Sequence, residues 1–505
     1  MLTAFQIAPI VWSAKNDLLL FAKSKAAAAS QDQKQWRDWW VVGAQGNVRN
    51  LTGDMKTMPS QLLLEADGES FVGVADGDVW RLGFDGTAAR NLTDRFEPKI
   101  ASIVWPSQPI VEAGGVTELL VGVQREGVTD LHRMDLSSQQ MTLLAKPFPK
   151  ASLIEYYPKS KTAVFTAADR TGTYLWLSQP AFELFTPVIE TNTFLREIAK
   201  GTAKQIEYRS LDGEKLKAWV ILPTDYREGK PYPMVTWVYA GSVARDEPSR
   251  QARINNPSSL NLQLLASHGY VVLLPSMPLK PIGGPSDPYM ELTKGVLPAV
   301  DKVIELGIAD PKRLGLMGQS YGGYSTYGLV TQTNRFQAAV ALAGPSDLLS
   351  LYGQFDPRLR YEPFPHELPF MMSMAETGQL RMSNPPWKDF GRFLRNSPLF
   401  YVERVTTPLM IIQGDMDFIP IEQGEQFFTA LYRQGKRAAM VRYWGEGHVL
   451  EGPANIRDMW QRIYGWFDQF LKPAPERPLT PSLGLQSGEL EASCWTRVMQ
   501  WQCSQ

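Results

Sequence analysis

The chain has 505 residues, of which 44% are hydrophobic and 20% charged, a composition typical of a globular protein with two or three domains. Acidic and basic side chains nearly cancel to a net charge of -1, which argues against a nucleic-acid partner and against a charged tail. No apolar run reaches the roughly 18 residues of a membrane span, so no span is predicted.

Residues 1–200 are predicted to form an all-β domain, because short strand-like runs alternate there with Gly, Asp and Asn turns. A faint repeat supports this: one N-L-T triplet ends at Thr52 and a second ends at Thr93, 41 residues later (93 − 52). Such a period predicts β-propeller blades of about four strands each. Both triplets also match the glycosylation acceptor pattern, but their recurrence favours a strand end followed by a turn. The predicted strands include Asp38–Val42, Leu62–Leu64, Val79–Leu82, Leu119–Val123 and Ala163–Thr166.

Residues 201–473 are predicted to form an α/β domain, because apolar strands alternate there with helices, and the serine motif described below makes it an α/β-hydrolase domain. Such alternation indicates a doubly wound, mostly parallel sheet with ligands at the carboxyl ends of its strands. Prolines interrupt the pattern between Asp347 and Pro408, a stretch predicted to be a partly helical excursion that shapes a substrate pocket. The predicted strands are Met234–Tyr239, Tyr270–Leu274, Arg313–Met317, Ala338–Ala343, Leu409–Gln413 and Ala439–Tyr443, after two strands within Ile206–Leu222. The predicted helices are Leu260–His268, Leu292–Leu306, Gly322–Gln332, Glu422–Gln434 and Asn455–Leu471.

The segment Gly318–Gly322 fits the pattern G-x-S-x-G around Ser320. A predicted strand precedes it and a predicted helix follows, as in the nucleophile elbow, where a strained turn lifts the serine hydroxyl above the sheet. With 40 glycines in the chain, an accidental match is the alternative, but the flanking strand and helix favour a nucleophile.

A catalytic serine needs a neighbouring base, which is usually histidine, and the chain has only four. His132 precedes the hydrolase domain, His268 ends a predicted helix, and His366 lies in the Pro-rich excursion. His448 follows the last predicted strand, where α/β hydrolases place their base.

The third member of a triad should follow the strand Leu409–Gln413, where two carboxylates stand, Asp415 and Asp417. Asp417 is preferred because the turn should bring the later residue round toward His448, with Asp415 capping the turn. Residue types alone leave both open.

The tail at residues 474–505 is Pro-rich and predicted to be ordered only in part. Its two cysteines, Cys494 and Cys503, are too few for a disulfide scaffold and have no neighbours for a zinc site. They either form one disulfide bridge or are two unrelated thiols. No metal and no cofactor are predicted anywhere in the chain.

With these segments in place, the chain resembles the prolyl oligopeptidase family of serine peptidases over roughly Ile206–Leu471. The resemblance rests on the extended elbow G-Q-S-Y-G-G-Y, on G-D-M-D ending at Asp417, on G-E-G-H ending at His448, and on V-Y-A-G. It implies that Asp417 is the acid, and that the Tyr239 hydroxyl and the Tyr321 backbone N–H bind the oxyanion. It also implies a β-propeller before the hydrolase domain.

Three departures from the family pattern matter. Ser242 follows V-Y-A-G where the family usually has Pro, and Ile419 stands where prolyl-specific members carry Arg, which puts proline specificity in doubt. The family propeller usually has seven blades, whereas the first 195 residues or so hold about four. The propeller is therefore reduced, or the chain is truncated at its N-terminus, and exposed strand edges would then favour homo-oligomers.

The resemblance implies a serine peptidase that acts on short peptides, with an esterase or an inert binding scaffold as alternatives. The substrate pocket is expected to be apolar, although two nearby arginines could bind an acidic side chain; exposed arginines without substrate contact are the preferred interpretation. The first ten residues lack the pattern of a signal peptide, and the compartment stays open between cytoplasm and, if a segment is missing, periplasm or exterior. The expected pocket residues are Tyr324, Leu348, Leu351, Tyr352, Arg358 and Arg360.

Overall fold

The computed structural model describes residues 11–473 apart from 14–17, 25–36, 54, 56, 60–61, 85–88, 107–114, 126–127, 169–171, 257, 281–286, 355–367 and 377. The chain divides into two compact units. One is Met1–Ile198 with Pro363–Ser373, and the other is Ala199–Glu362 with Met374–Gln505.

The first unit consists of antiparallel sheets built like propeller blades, as the repeat predicted. Among its described residues there are four such sheets, each of four strands paired in chain order. Their strands are β1–β4 (Val11–Ser13, Leu18–Ser24, Arg37–Gly43, Val48–Asn50), β5–β8 (Leu63–Leu64, Ser70–Ala75, Asp78–Gly83, Arg90–Asn91), β9–β12 (Ile100–Trp105, Glu118–Arg125, Val128–Asp135, Met141–Leu144) and β13–β16 (Ser152–Tyr157, Thr162–Ala168, Thr173–Ser178, Phe185–Thr191).

The two N-L-T triplets form the same structure at the ends of β4 and β8. The amide of Thr52 donates to Asn50 Oδ1 at 3.0 Å, and that of Thr93 donates to Asn91 Oδ1 at 2.8 Å. Each threonine is buried, and its hydroxyl accepts a backbone N–H from the third strand of its own blade. Each triplet therefore ends the fourth strand of its blade and joins it to the third, in agreement with the prediction of a strand end followed by a turn.

The second unit is built on an eight-stranded sheet with the order β17-β18-β20-β19-β21-β22-β23-β24. The first two pairings are antiparallel and the rest are parallel, so the carboxyl ends of β19 and β21–β24 meet at one edge. This is the doubly wound sheet predicted from the alternation of strands and helices. The strands are β17 (Ala203–Arg209), β18 (Lys215–Ile221), β19 (Tyr232–Trp237), β20 (Val271–Leu274), β21 (Ala309–Gln319), β22 (Ala338–Leu342), β23 (Leu409–Gly414) and β24 (Ala438–Tyr443).

Helices follow most of these strands. The last helix, Pro453–Leu471, packs its apolar face on the sheet through Ile463 and Phe467, both 0% exposed. The helix predicted over Leu260–His268 is shorter than expected and begins at Gln263. The Asn261 side chain accepts a hydrogen bond from the Gln263 amide, which favours a helix start at that point. The helices are α1 (Gln263–Ser267), α2 (Pro288–Glu305), α3 (Tyr321–Val330), α4 (Leu348–Gly353), α5 (Leu368–Glu376), α6 (Phe390–Arg395), α7 (Glu422–Arg433) and α8 (Pro453–Leu471), with 3-10 turns at Thr193–Arg196, Arg250–Ala252 and Pro398–Arg404.

Candidate active site

Ser320 occupies the single residue between strand β21 and helix α3. Its backbone has φ 62 and ψ -124, a conformation that non-glycine residues rarely adopt. The Ser320 amide donates to Leu342 O on the neighbouring strand at 2.9 Å, and its carbonyl accepts from the Tyr324 amide at 3.1 Å. The turn is therefore held on both sides, as a strained nucleophile elbow requires.

The glycines around Ser320 are required by close backbone contacts. A Cβ added to Gly318 would lie 2.3 Å from Gly322 O, and one added to Gly322 would lie 2.3 Å from Val238 O. Gly323 is equally confined, since a Cβ there would lie 2.5 Å from Leu342 O. Strand β21, helix α3 and the end of β19 can approach this closely only without side chains at these positions.

His448 and Asp417 lie in the loops that follow the neighbouring parallel strands β24 and β23. Their side chains are joined by a hydrogen bond. His448 Nδ1 is 2.8 Å from Asp417 Oδ1, and the Asp417 side chain has no exposed surface. An ionised carboxylate can only accept, so Nδ1 donates to it, and in a neutral imidazole Nε2 then keeps its lone pair. This is the tautomer that a general base needs.

Two further contacts position His448. The Gln319 side chain, one residue before Ser320, donates from Nε2 to His448 O at 2.9 Å. The ring of Phe418 packs against the imidazole with centroids 4.2 Å apart. Through Gln319 the structure joins the serine turn to the histidine loop, so residues 320, 448 and 417 belong to one edge of the sheet.

Glu446 braces the loop that carries His448. Its carboxylate is buried and accepts from the amides of Glu451 and Gly452 and from the side chain of Asn455. Burial alone would raise the pKa of the Glu446 carboxyl, but these donors outweigh it and lower that pKa below its usual value. The loop between residues 446 and 452 is thus closed on itself at the start of α8.

Tyr239 lies two residues after the end of strand β19 and is partly exposed. Its hydroxyl accepts a hydrogen bond from Gln379 Nε2 at 2.8 Å, and its ring meets that of Tyr321 edge-on at 6.3 Å. Tyr321 is the first residue of α3, where backbone N–H groups at a helix N-terminus favour negative charge. Both residues expected to bind an oxyanion therefore lie at the first turn of α3, which begins directly after Ser320.

The expected pocket residues are buried where the structure describes them. Tyr324 is 0% exposed and donates its hydroxyl hydrogen to Asn396 O, while Tyr352 is 7% exposed and bonds to Glu376 Oε1. Leu348 and Leu351 are each 1% exposed. Because they are buried, these four side chains can support the wall of a pocket but cannot form its surface. Arg358 and Arg360 lie outside the described residues.

The remaining histidines with described positions have other partners. His268 Nε2 is 2.9 Å from Asp468 Oδ2, and His132 is buried in strand β11, where burial lowers its pKa. His366 lies outside the described residues, as do Cys494 and Cys503. Asp415 accepts from the Gly445 amide at 2.6 Å and so ties two loops together rather than facing His448.

Sequence reasoning did not single out three side chains near the site: Gln379, Phe418 and Glu446. Glu446 stands inside the G-E-G-H segment and Phe418 directly follows Asp417, so both had a local signal. Gln379 had none, because it lies in the Pro-rich excursion, 140 residues from Tyr239.

Comparison with known proteins points to one family of peptidases. Residues 292–474 match the model of the prolyl oligopeptidase family. The uncharacterized peptidase YuxL of Bacillus subtilis is 30% identical over 294 residues, which are 55% of this chain and 40% of that protein. Dipeptidyl-peptidase 5 of Porphyromonas gingivalis is 28% identical over 284 residues, which are 52% of this chain and 37% of the relative. The chain thus spans about two fifths of these curated relatives.

The fold is shared with solved structures. A puromycin-hydrolyzing peptidase of Mycobacterium tuberculosis superposes with a TM-score of 0.64 at 20% identity, covering 93% of this chain and 70% of that one. An acylaminoacyl peptidase superposes with a TM-score of 0.60 at 19% identity, covering 92% and 71%. In the part of the chain with described coordinates, no helix combines the length and apolarity needed to cross a membrane.

Proposed function

We propose that this chain is a serine peptidase of the prolyl oligopeptidase family, and that it hydrolyses peptide bonds of short peptides through Ser320, His448 and Asp417. The observation that carries the proposal is the 2.8 Å hydrogen bond between His448 Nδ1 and the buried Asp417 carboxylate, in a loop that Gln319 ties to the strained Ser320 turn at φ 62. A strained serine and an oriented imidazole at one sheet edge are the parts that acyl transfer needs.

In the proposed reaction, His448 Nε2 takes the Ser320 hydroxyl proton as Oγ attacks the carbonyl carbon. The resulting oxyanion is stabilised by the Tyr239 hydroxyl and the Tyr321 N–H, where losing one such donor costs about 3–4 kcal/mol. The tetrahedral intermediate collapses as His448 returns the proton to the leaving amine. Water then hydrolyses the acyl-enzyme by the same route, and the acid is released.

Specificity for proline is not part of the proposal. The position two residues after Asp417 holds Ile419, which is 2% exposed and whose amide donates to Asp417 Oδ1 at 2.8 Å. The side chain therefore packs inside the domain and offers no charge to a substrate carbonyl.

The test is labelling with a fluorophosphonate, followed by parallel assays on peptide p-nitroanilides and p-nitrophenyl esters. We expect wild-type protein to label and to cleave both substrates, and Ser320→Ala to do neither. Ser267→Ala is the matched control, since Ser267 is exposed on α1 and should leave labelling unchanged. Labelling of Ser320→Ala at the wild-type level would refute the nucleophile, and turnover of esters alone would refute the peptidase assignment.

A further inference from the structure

Among the residues that the structure describes, Gln379 hydrogen-bonds to the Tyr239 hydroxyl, donating from Nε2 at 2.8 Å. It lies shortly after α5, in the excursion between β22 and β23. The contact matters because Tyr239 can stabilise an oxyanion only with its own O–H hydrogen. A partner that donates to the phenolic oxygen and one that accepts from it would have opposite effects.

The loop that carries Gln379 is firmly packed. Its neighbours Leu380 and Met382 are 1% and 0% exposed. The amide of Leu380 donates to Met374 O at 3.0 Å, and that of Met382 donates to Ala375 O at 2.7 Å. The loop is therefore folded back on the last turn of α5, and the position of Gln379 is set by the main chain.

A buried arginine anchors the same loop beside the tyrosine. Arg381 is 9% exposed and donates from Nη1 to Gln379 O at 2.7 Å and from Nε to Lys280 O at 2.9 Å. Its guanidinium also borders the chain just after Tyr239, since a Cβ on Gly241 would lie 3.6 Å from Arg381 Nη2. Arg381 thus ties the main chain at Gln379 to the segment at Lys280 and borders the Tyr239 loop.

The direction of the hydrogen bond decides where the tyrosine hydrogen goes. A phenolic oxygen that accepts from the Gln379 amide keeps its own hydrogen free for another acceptor. We infer that Gln379 is a positioning residue that donates to Tyr239 Oη and thereby directs the Tyr239 hydrogen toward the substrate oxyanion. The inference rests on the proposed function and adds a residue to it.

Replacing the amide by a carboxylate tests the inference, because an ionised Glu at this position can only accept. In Gln379→Glu the carboxylate captures the Tyr239 hydrogen, so kcat for p-nitrophenyl butyrate should fall about 10²-fold, approaching the loss expected for Tyr239→Phe. Gln379→Ala removes the donor to the hydroxyl without capturing the hydroxyl hydrogen, so kcat should fall only about three- to tenfold. KM should change less than twofold in both, as expected for an interaction made in the transition state.

Two controls separate orientation from damage to the fold. Gln205→Glu makes the same substitution on edge strand β17, where Gln205 Nε2 donates to Arg245 O at 2.9 Å, and should leave kcat unchanged. In the Tyr239→Phe background there is no hydroxyl to capture, so Gln379→Glu should have no further effect. Thermal unfolding midpoints of all variants are compared with wild type.

The outcomes are distinct. Wild-type kcat in Gln379→Glu, or a full additional loss in the double variant, overturns the inference while leaving the proposed function intact. If Gln379→Glu does not fold, a loss in Gln379→Ala as large as that of Tyr239→Phe overturns it as well. Wild-type protein that turns over neither esters nor amides would remove the proposed function itself.

Discussion

Gly322→Ala is the sharpest test of how the serine turn is built. The added Cβ would lie 2.3 Å from Val238 O, against the 3.0 Å below which such contacts essentially never occur, so helix α3 and the end of β19 must separate by about 0.7 Å. The obstacle is a backbone carbonyl, so the free energy of unfolding should fall by an amount near the upper end of the range for overpacked cores, about 1–3 kcal/mol. Because a displacement of about 1 Å can cost about 10²-fold in rate, labelling of Ser320 should slow at least about tenfold.

The measurements are the free energy of unfolding in urea and the rate of fluorophosphonate labelling. The matched control is Gly465→Ala in α8, where an added Cβ meets nothing within 4 Å. That variant should be about 0.5–1 kcal/mol more stable than wild type and label normally, because Ala is the better helix former. If the two variants unfold and label alike, the close approach of backbone around Ser320 does not matter as argued.

Two further substitutions probe the histidine loop. Asp417→Asn should lower kcat about 10⁴-fold in steady-state assays, because a carboxamide no longer imposes the tautomer of His448; a loss below tenfold would contradict the triad. Glu446→Gln should lower the free energy of unfolding by about 1–3 kcal/mol at neutral pH. Since the pKa of Glu446 is lowered in the folded state, this stabilisation is present above the unfolded value of about 4.3 and lost as pH falls through the folded value. Denaturation at neutral and acidic pH checks this, and a difference independent of pH would contradict it.

Much of the catalytic domain follows from local sequence alone. Strand and helix signals alternate in order, and a parallel sheet necessarily collects the carboxyl ends of its strands at one edge. Ser320, Asp417 and His448 each follow a predicted strand, which predicts all three at that edge, although only the family resemblance selected Asp417 over Asp415. The blade pattern could also be predicted from local sequence, because the N-L-T triplets at the ends of β4 and β8 form the same hydrogen bond from the Thr amide to the Asn side chain.

The excursion between β22 and β23 is different, because only tertiary structure decides it. Its helices are short and interrupted by prolines, so no period in the sequence shows which side chains turn inward. Tyr324 and Tyr352 were predicted as pocket residues, and their burial could not be read from the sequence. Gln379 had no signal at all, since its bond to Tyr239 spans 140 residues. Local periodicity encodes the elements of this protein, whereas the partner of a single polar side chain depends on long-range packing that no short segment specifies.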